Sequence, residues 1–332
     1  MAKKLINDPS RVVPELLEGL LRTYGGRLTQ VGPVGAIAKV AIPDGKVALL
    51  IGGGSGHEPV FHGFVGDGMA DGAACGNIFA APSPDVILAV TRALDRGKGV
   101  LYLYGNYAGD NMNFDIAAEL AADEGIRVRT VRVWDDVASA PPDRQDQRRG
   151  IAGDLFLIKI AGAASTVLTD LDAVADVTER ARSATRSIGV AVSAGSIPET
   201  GERTFELADD EIEIGMGLHG EPGVGRQKME PVDAIVDFMA EQILGDLPFV
   251  AGDDVCLLVN DLGSTTMMEL LIAARRLYGI LDQRGITVHD TVVGSFATCQ
   301  EMAGFSFTLM RLDEELRRLY DMPARSLGFS RG

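Results

Sequence analysis

Short apolar runs alternate with amphipathic segments along the first half of the chain. The run ALLI at residues 48–51 leads into three glycines, and a second run, VLYLY, covers residues 100–104. Each is followed by a segment with apolar residues at helical spacing, first PDVILAVTRAL and then NMNFDIAAELAAD. Continuous apolar runs of this length are typical of strands buried on both faces, and their alternation with helices predicts a parallel sheet.

A second set of strands and helices is predicted from about residue 185 onward. IGVAVS, VCLLVN and FSFTLMRL have the composition of strands, and PVDAIVDFMAEQILG and TTMMELLIAARRLYGILDQ have helical spacing. The polar, Pro-containing stretch ASAPPDRQDQRRG before them predicts a mobile loop. We therefore predict two α/β domains, residues 1–184 and 185–332, each built on a largely parallel or mixed sheet flanked by helices.

Composition and charge exclude several classes of function. The 332 residues are 46% apolar and 23% charged, which is typical of a packed core, and 40 glycines predict many tight loops. The formal net charge of −16 disfavours binding to nucleic acid and to an anionic membrane surface. Three cysteines without a C-x-x-C pair, no leader-like apolar segment and no long apolar run predict a reduced, cytoplasmic protein that does not enter membranes.

Three glycine-rich loops follow predicted strands, at residues 52–59, 105–113 and 215–223. Ligands of open α/β sheets bind beyond the carboxyl ends of the strands, so these loops are the predicted location of a ligand site. The loops carry His57, Asp110 and His219 respectively.

The glycines at 52–54 allow two interpretations. They could let backbone N–H groups approach a small polar ligand or a phosphate, or they could form a tight turn under a packed helix. The chain contains no G-x-x-x-x-G-K-[ST] motif, and the spacing around these glycines is not that of a dinucleotide-binding loop. For the glycines alone, the tight turn is the favoured interpretation.

Each polar residue also has a structural and a chemical interpretation. His57 is either a loop histidine satisfied by carbonyl groups or a hydrogen-bond donor and general acid. Asp110 is either part of an Asx-turn or a helix N-cap, which is favoured for this residue alone, or a general base. His219 is either an unengaged loop histidine or a nitrogen nucleophile that adds to a ketone carbonyl. The four histidines, at positions 57, 62, 219 and 289, lack chelating spacing, so we expect no protein-bound metal.

The motifs GGGSGHEP, GNYAGDNMNF and GLHGEPG, together with RRGIAG and NDLGST, resemble the substrate-binding K subunit of dihydroxyacetone kinase over nearly the whole chain. The resemblance implies that His219 holds a short ketose as a covalent hemiaminal, that Asp110 activates its terminal hydroxyl and that His57 donates a hydrogen bond. It also implies a substrate-binding role for the residues around them: Gly54, Ser55, Ala81 and Gly109.

The same resemblance implies how the phosphoryl group arrives. This chain would bind no cofactor, and ADP or ATP with Mg²⁺ would be carried by a separate L subunit, with a phosphocarrier protein of the sugar phosphotransferase system as one upstream donor. A homodimer is expected by the same analogy. Ala81 replaces the serine usual in the family, which leaves a four-carbon ketose such as erythrulose as a rival substrate. The sequence is also compatible with a non-catalytic ketose-binding co-regulator and with an unrelated nucleotide-dependent α/β enzyme.

Overall fold

The computed structural model describes residues 3–332 and contains two six-stranded sheets flanked by helices. The helices are α1 Val12–Thr23, α2 Pro84–Leu94, α3 Ala108–Asp123, α4 Asp154–Val167, α5 Leu171–Ser183, α6 Val232–Asp246, α7 Met267–Gln283 and α8 Glu314–Asp321. The strands of the first sheet are β1 Leu28–Gln30, β2 Ala36–Lys39, β3 Ala48–Ser55, β4 Gly72–Ile78, β5 Val100–Gly105 and β6 Val128–Val133. The strands of the second are β7 Thr185–Ser193, β8 Glu211–Ile214, β9 Gly225–Lys228, β10 Asp254–Asp261, β11 Thr287–Gly294 and β12 Ala303–Leu312. A short ribbon, β13 Ala324–Arg325 and β14 Ser330–Arg331, ends the chain.

The first sheet has the order β1-β2-β4-β3-β5-β6, and its last four strands in this order run parallel. Strand β3 is buried on both faces. Ala48 and Leu50 pack with α2 and α3, whereas Leu49 and Ile51 belong to the larger core on the opposite side. Burial on both faces explains why this strand is a continuous apolar run rather than an alternating one.

The second sheet has the order β11-β10-β12-β7-β8-β9, with only β10 and β11 parallel. Val255 and Leu257 of β10 face α6 and α7, while Cys256 and Leu258 face the larger core. That core therefore lies between the two sheets, where it also includes α4 and α8. The predicted fold class, with one largely parallel and one mixed sheet, is confirmed.

The predicted division at residues 184 and 185 coincides with a change of sheet, since β7 begins at Thr185. The buried core, however, is continuous across both sheets. The two ranges as independent domains therefore stay a prediction.

The predicted mobile loop is anchored at its end. Pro142–Gln147 form a short 3₁₀ helix, and the following Arg148 is fully buried. Its guanidinium donates to the carboxylate of Asp246 in α6 at 2.8 Å. A buried ion pair and the adjoining core fix the end of this segment between the two halves of the chain, and mobility of the residues before it stays a prediction.

All three cysteines, Cys75, Cys256 and Cys299, are buried and unpaired. Over residues 3–332, no helix combines the length and the apolar character needed to cross a membrane.

Candidate active site

His57 lies just beyond β3 and is held by the second half of the chain. Its Nδ1 donates a hydrogen bond to the carbonyl oxygen of Thr298 at 2.6 Å, and the N–H of Gln300 donates to the carbonyl oxygen of Gly56 at 3.1 Å. The loop that carries Thr298 is fixed in turn by Asn260 of the NDLGST motif, whose side-chain oxygen accepts the N–H of Ala297 at 2.9 Å. The NDLGST motif thus positions the loop that orients the His57 imidazole.

His219 lies in the loop between β8 and β9 and is oriented by a carboxylate two residues later. Its Nδ1 donates to Oε1 of Glu221 at 2.7 Å, and its backbone N–H donates to Oε2 at 3.0 Å. Arg149 of the RRGIAG motif donates to the carbonyl oxygen of Gly215 at 2.9 Å, which fixes the start of the loop. Sequence reasoning missed Glu221, although GLHGEPG contains it, because its contact depends on the fold of the loop.

The two imidazoles meet directly, with their Nε2 atoms 2.9 Å apart and their rings nearly perpendicular at 74°. His57 Nδ1 faces a carbonyl and His219 Nδ1 faces a carboxylate, so both Nδ1 atoms carry protons. A hydrogen bond between the two Nε2 atoms would then require one further proton, shared between them. Burial, followed by the positive charge of His219, lowers the pKa of His57 to about 3. A proton held by His57 would therefore be given up readily.

Asp110 is the third residue of α3 and does not cap it. Tyr107 occupies the N-cap position, so the N-cap interpretation of Asp110 is wrong. The Asp110 carboxyl is buried, and within residues 3–332 its Oδ1 has no hydrogen-bond partner. Burial raises its pKa to about 7, against the opposing effect of His219. A carboxyl with this pKa is suited to take a proton near neutrality.

One small cavity brings the three residues together. Gly54, His57, Asp110, Asp154 and His219 are among the residues that line it, and its volume is about 20 Å³. It lies at the carboxyl ends of β3 and β5, as expected for an α/β sheet. A volume of this size holds a water molecule, and a larger ligand requires the lining side chains to move apart.

The other predicted substrate-binding residues differ in their placement. Gly54 lines the cavity, but the hydroxyl of Ser55 points away and donates to the carbonyl oxygen of Gly76 at 2.7 Å. Ala81 and Gly109 are neighbours next to the first turn of α3 and do not line the cavity. Of these four, only Gly54 lines the cavity together with His219.

Close packing, rather than a phosphate, explains the run of three glycines. The run belongs to β3 and not to a loop. A Cβ on Gly53 would lie 2.2 Å from the ring of Phe61, and one on Gly54 would lie 2.8 Å from the backbone nitrogen of Ala80. The predicted tight turn under a helix is therefore wrong, because these glycines lie in β3 and pack against the ring of Phe61 and the backbone that follows β4.

Phe79 is a further residue that sequence reasoning missed. Its φ of +56° lies in the left-handed region, which a bulky side chain rarely adopts. The ring centroid lies 5.0 Å from that of His57 and 5.6 Å from that of His219. The phenyl ring covers both imidazoles and limits the directions in which they can move.

The remaining histidines lie elsewhere. His62 is buried beside the sulfur of Cys75, and His289 pairs with Asp321 at 2.9 Å. Across residues 3–332, no group of three or more His, Cys, Asp or Glu side chains has an arrangement that could hold a metal ion.

Comparison with known proteins places this geometry in a family. The model of the Dak1 domain matches residues 18–328, which include every residue of the cavity. This chain belongs to the Dak1 family. The family expected from the loop motifs is therefore confirmed.

Three Dak1 relatives illustrate the likeness. The dihydroxyacetone-binding subunit of a PTS-dependent dihydroxyacetone kinase from Listeria innocua is 44% identical over 97% of this chain and 97% of its own length. An L-erythrulose kinase from Pectobacterium atrosepticum is 40% identical over 99% of this chain, which spans 56% of that protein. The crystal structure of the dihydroxyacetone kinase of C. freundii superimposes with a TM-score of 0.92 at 30% identity, over 100% of this chain and 61% of the other. These relatives are kinases, that is, phosphotransferases with an alcohol group as acceptor.

Proposed function

We propose that this chain is the substrate-binding subunit of a dihydroxyacetone kinase. It holds a short ketose as a hemiaminal on His219 while a separate subunit phosphorylates the terminal hydroxyl. The observation that carries the proposal is the meeting of a carboxylate-bound imidazole, a second imidazole and an unpaired carboxyl, those of His219, His57 and Asp110, in one cavity.

The first step is the addition of His219 to the ketone. The shared proton moves to Nε2 of His57, which leaves a lone pair on Nε2 of His219. That lone pair forms the bond to the carbonyl carbon, the C=O π electrons move to the oxygen, and His57 gives its proton to that oxygen. The alkylated imidazole is then a cation, and the Glu221 carboxylate 2.7 Å from Nδ1 balances its charge.

The second step is activation of the terminal hydroxyl. Asp110 accepts the hydroxyl proton as the oxygen attacks the incoming phosphoryl group. A base with a pKa of about 7 is half ionised near neutrality, and its free Oδ1 has an unused acceptor site. Attachment through the carbonyl carbon also selects ketones over polyols, because an alcohol carbon cannot accept the attack of an imidazole.

A partner supplies the phosphoryl group. Phosphoryl transfer requires Mg²⁺ and a nucleotide or another donor, and this chain has no P-loop motif. We propose that an L subunit carries ADP or ATP with Mg²⁺, and the PTS-dependent relative supports a phosphocarrier protein as the ultimate donor. A homodimer and a cytoplasmic location stay predictions.

The choice between dihydroxyacetone and erythrulose depends on the space beside the attachment point. The dihydroxyacetone-binding subunit from Listeria innocua is 44% identical to this chain, which favours dihydroxyacetone as the substrate. The L-erythrulose kinase is 40% identical, which keeps erythrulose as the alternative. Ala81 carries no hydroxyl and lies next to Gly109, outside the small cavity. Opening of the cavity around a longer ketose would bring Ala81 within reach, so Ala81→Ser is expected to change the ratio of kcat/KM for the two sugars.

An NMR titration tests the hemiaminal. Dihydroxyacetone labelled with ¹³C at C2 is added to the wild-type chain, and the C2 resonance is expected to move from the ketone to the tetrahedral region. His219→Ala should abolish the shift, and His289→Ala, a matched histidine on β11 remote from the cavity, should retain it. The absence of a tetrahedral signal with the wild-type chain would refute covalent attachment.

A coupled assay tests the kinase role. With an L subunit and its donor present, the wild-type chain should support formation of a ketose phosphate, and Asp110→Asn should not. A wild-type adduct that no L subunit phosphorylates, together with recovery of a DNA-binding protein from cells, would favour the co-regulator instead.

A further inference from the structure

A second buried carboxyl, that of Asp154, lines the same cavity and has no part in the reaction described above. Asp154 is the first residue of α4, and the residue is only 5% exposed. Within residues 3–332, its Oδ1 has no hydrogen-bond partner, as for Asp110. Two unpaired carboxyls facing one small cavity are costly unless one is neutral or a ligand satisfies them.

The surroundings of Asp154 favour its neutral form. Asp135 already uses the backbone donors at the start of α4, since its two oxygens accept the N–H groups of Ile151 at 2.8 Å and Gly153 at 2.9 Å. These hydrogen bonds favour the carboxylate form of Asp135 against the effect of burial, which raises its pKa, and the negative charge of Asp135 acts on Asp154. Burial, then Asp135, then Asp110 raise the pKa of Asp154 well above its usual range.

Among the described residues, no lysine or arginine lines the cavity beside Asp154. Besides Asp110, the titratable groups that line the cavity with Asp154 are the hydroxyl of Tyr107, which donates to the carbonyl of Gly150 at 2.9 Å, and the two imidazoles. Burial lowers the pKa of His57, and the positive charge of His219 acts on Asp110. A protonated Asp154 would relieve the repulsion from Asp110 and Asp135 and would present an O–H donor to the cavity.

We propose that Asp154 is a substrate-binding residue that acts in its protonated form, donating a hydrogen bond to an oxygen of the ketose bound beside Asp110. The inference rests on the proposed function, because it assigns the second carboxyl of the same site. The two carboxyls then have opposite roles: Asp110 ionised as an acceptor, and Asp154 neutral as a donor. Like charges at short range favour such a division in carboxyl pairs.

The division has a consequence for the pH profile. Turnover with the L subunit requires ionised Asp110 and therefore falls as the pH drops below about 7. Ketose binding requires protonated Asp154 and therefore weakens on the alkaline side. When the ketose affinity of the wild-type chain is measured as a function of pH, it should therefore fall on the alkaline side as Asp154 loses its proton.

Paired substitutions test the assignment. Asp154→Asn keeps an N–H donor but cannot ionise, whereas Asp154→Ala removes the donor. At neutral pH, Asn is expected to weaken ketose binding by roughly twofold and Ala by roughly tenfold, the loss expected for one buried hydrogen bond. The alkaline fall in affinity should disappear in the Asn variant, an effect that a purely structural role would not produce. The inference would be overturned if both variants fold and lose the same ketose affinity, or if the alkaline fall in affinity is unchanged in Asp154→Asn.

A direct titration keeps the inference testable if a variant does not fold. In the wild-type chain labelled with ¹³C at Asp side-chain carboxyls, the Asp154 resonance is expected at its protonated position at pH 7, and an ionised carboxyl would overturn the inference. The C2-labelled ketose separates the two proposals. If the wild-type chain forms no adduct, the proposed function is refuted, whether or not Asp154 is protonated. If an adduct forms but Asp154 is ionised, only the proposed role of Asp154 is refuted.

Discussion

Replacement of Glu221 by glutamine measures how much the carboxylate contributes to covalent capture of the ketose. Glu221 accepts two hydrogen bonds from His219, one from the ring at 2.7 Å and one from the backbone at 3.0 Å. The ring hydrogen bond becomes charge-assisted on both sides once the imidazole is alkylated. Hydrogen bonds to charged groups contribute about 1.5–3 kcal/mol, so Glu221→Gln should weaken ketose binding roughly 10- to 150-fold.

The pH dependence of this contribution follows from the carboxylate. Burial disfavours ionisation of Glu221, but the hydrogen bond from the His219 ring and the charge of that ring outweigh it and lower the pKa to about 2. The contribution of a carboxyl with a lowered pKa is present above the ordinary value of 4.5 and is lost as the pH falls through about 2. Over the neutral range, the difference between Glu and Gln should therefore be constant.

Isothermal titration with dihydroxyacetone at pH 7 provides the dissociation constants, and Glu213→Gln is the matched control. Glu213 holds the same loop by accepting the N–H of Gly223 at 2.7 Å, but it does not contact His219. We expect Glu213→Gln to bind the ketose within a few-fold of wild type. Wild-type affinity in Glu221→Gln, or an equal loss in both variants, would refute charge compensation and leave loop anchoring as the explanation.

Three further predictions concern the reaction and the stability of the fold. Asp110→Asn should form the C2 adduct by NMR yet lose phosphoryl transfer in the coupled assay, because binding and base catalysis use different groups. Gly53→Ala places a methyl group 2.2 Å from the ring of Phe61. The clash should lower the free energy of unfolding by about 1–3 kcal/mol and lower Tm in calorimetry by several degrees. An unchanged Tm would contradict the packing argument. Asp246→Asn leaves the buried guanidiniums of Arg148 and Arg186 without their carboxylate. We expect the free energy of unfolding, measured in urea, to fall by about 3–5 kcal/mol. A fall of less than about 1 kcal/mol would show that these ion pairs contribute little to stability.

Much of the fold could be predicted from the sequence because its central elements have strong local patterns. Strands such as β5 are buried on both faces and are therefore uniformly apolar, and α7 has a complete capping box at Thr266 and Glu269. Strand β4 was not predicted, since GAACGNI is made of small residues whose burial depends on close neighbours. The anchoring of the loop that ends at Arg148 was not predicted, because the partner of Arg148 lies 98 residues later in the chain.

The site was partly accessible from sequence for a related reason. Loops after parallel strands converge at one sheet edge, so His57 and Asp110 could be placed near each other from topology alone. The direction of each side chain depends on contacts with residues distant in the sequence, so topology alone could not predict it. The hydroxyl of Ser55 turns to the Gly76 carbonyl, and Asp154 begins an apolar helix whose sequence predicts only burial.

The contact between the two imidazoles links the architecture to the proposed chemistry. His57 follows a strand of the first sheet and His219 follows a strand of the second, so the contact between their Nε2 atoms lies where the two halves of the chain meet. A ketose bound to Nε2 of His219 must replace this contact, and its oxygen then occupies the position from which His57 can protonate it. Since Glu221 and Thr298 keep both Nδ1 atoms engaged, each ring presents only Nε2 to the incoming carbon. In the proposed reaction, the hydrogen bonds that hold the two Nδ1 atoms therefore also select the atom that attacks and the atom that delivers the proton.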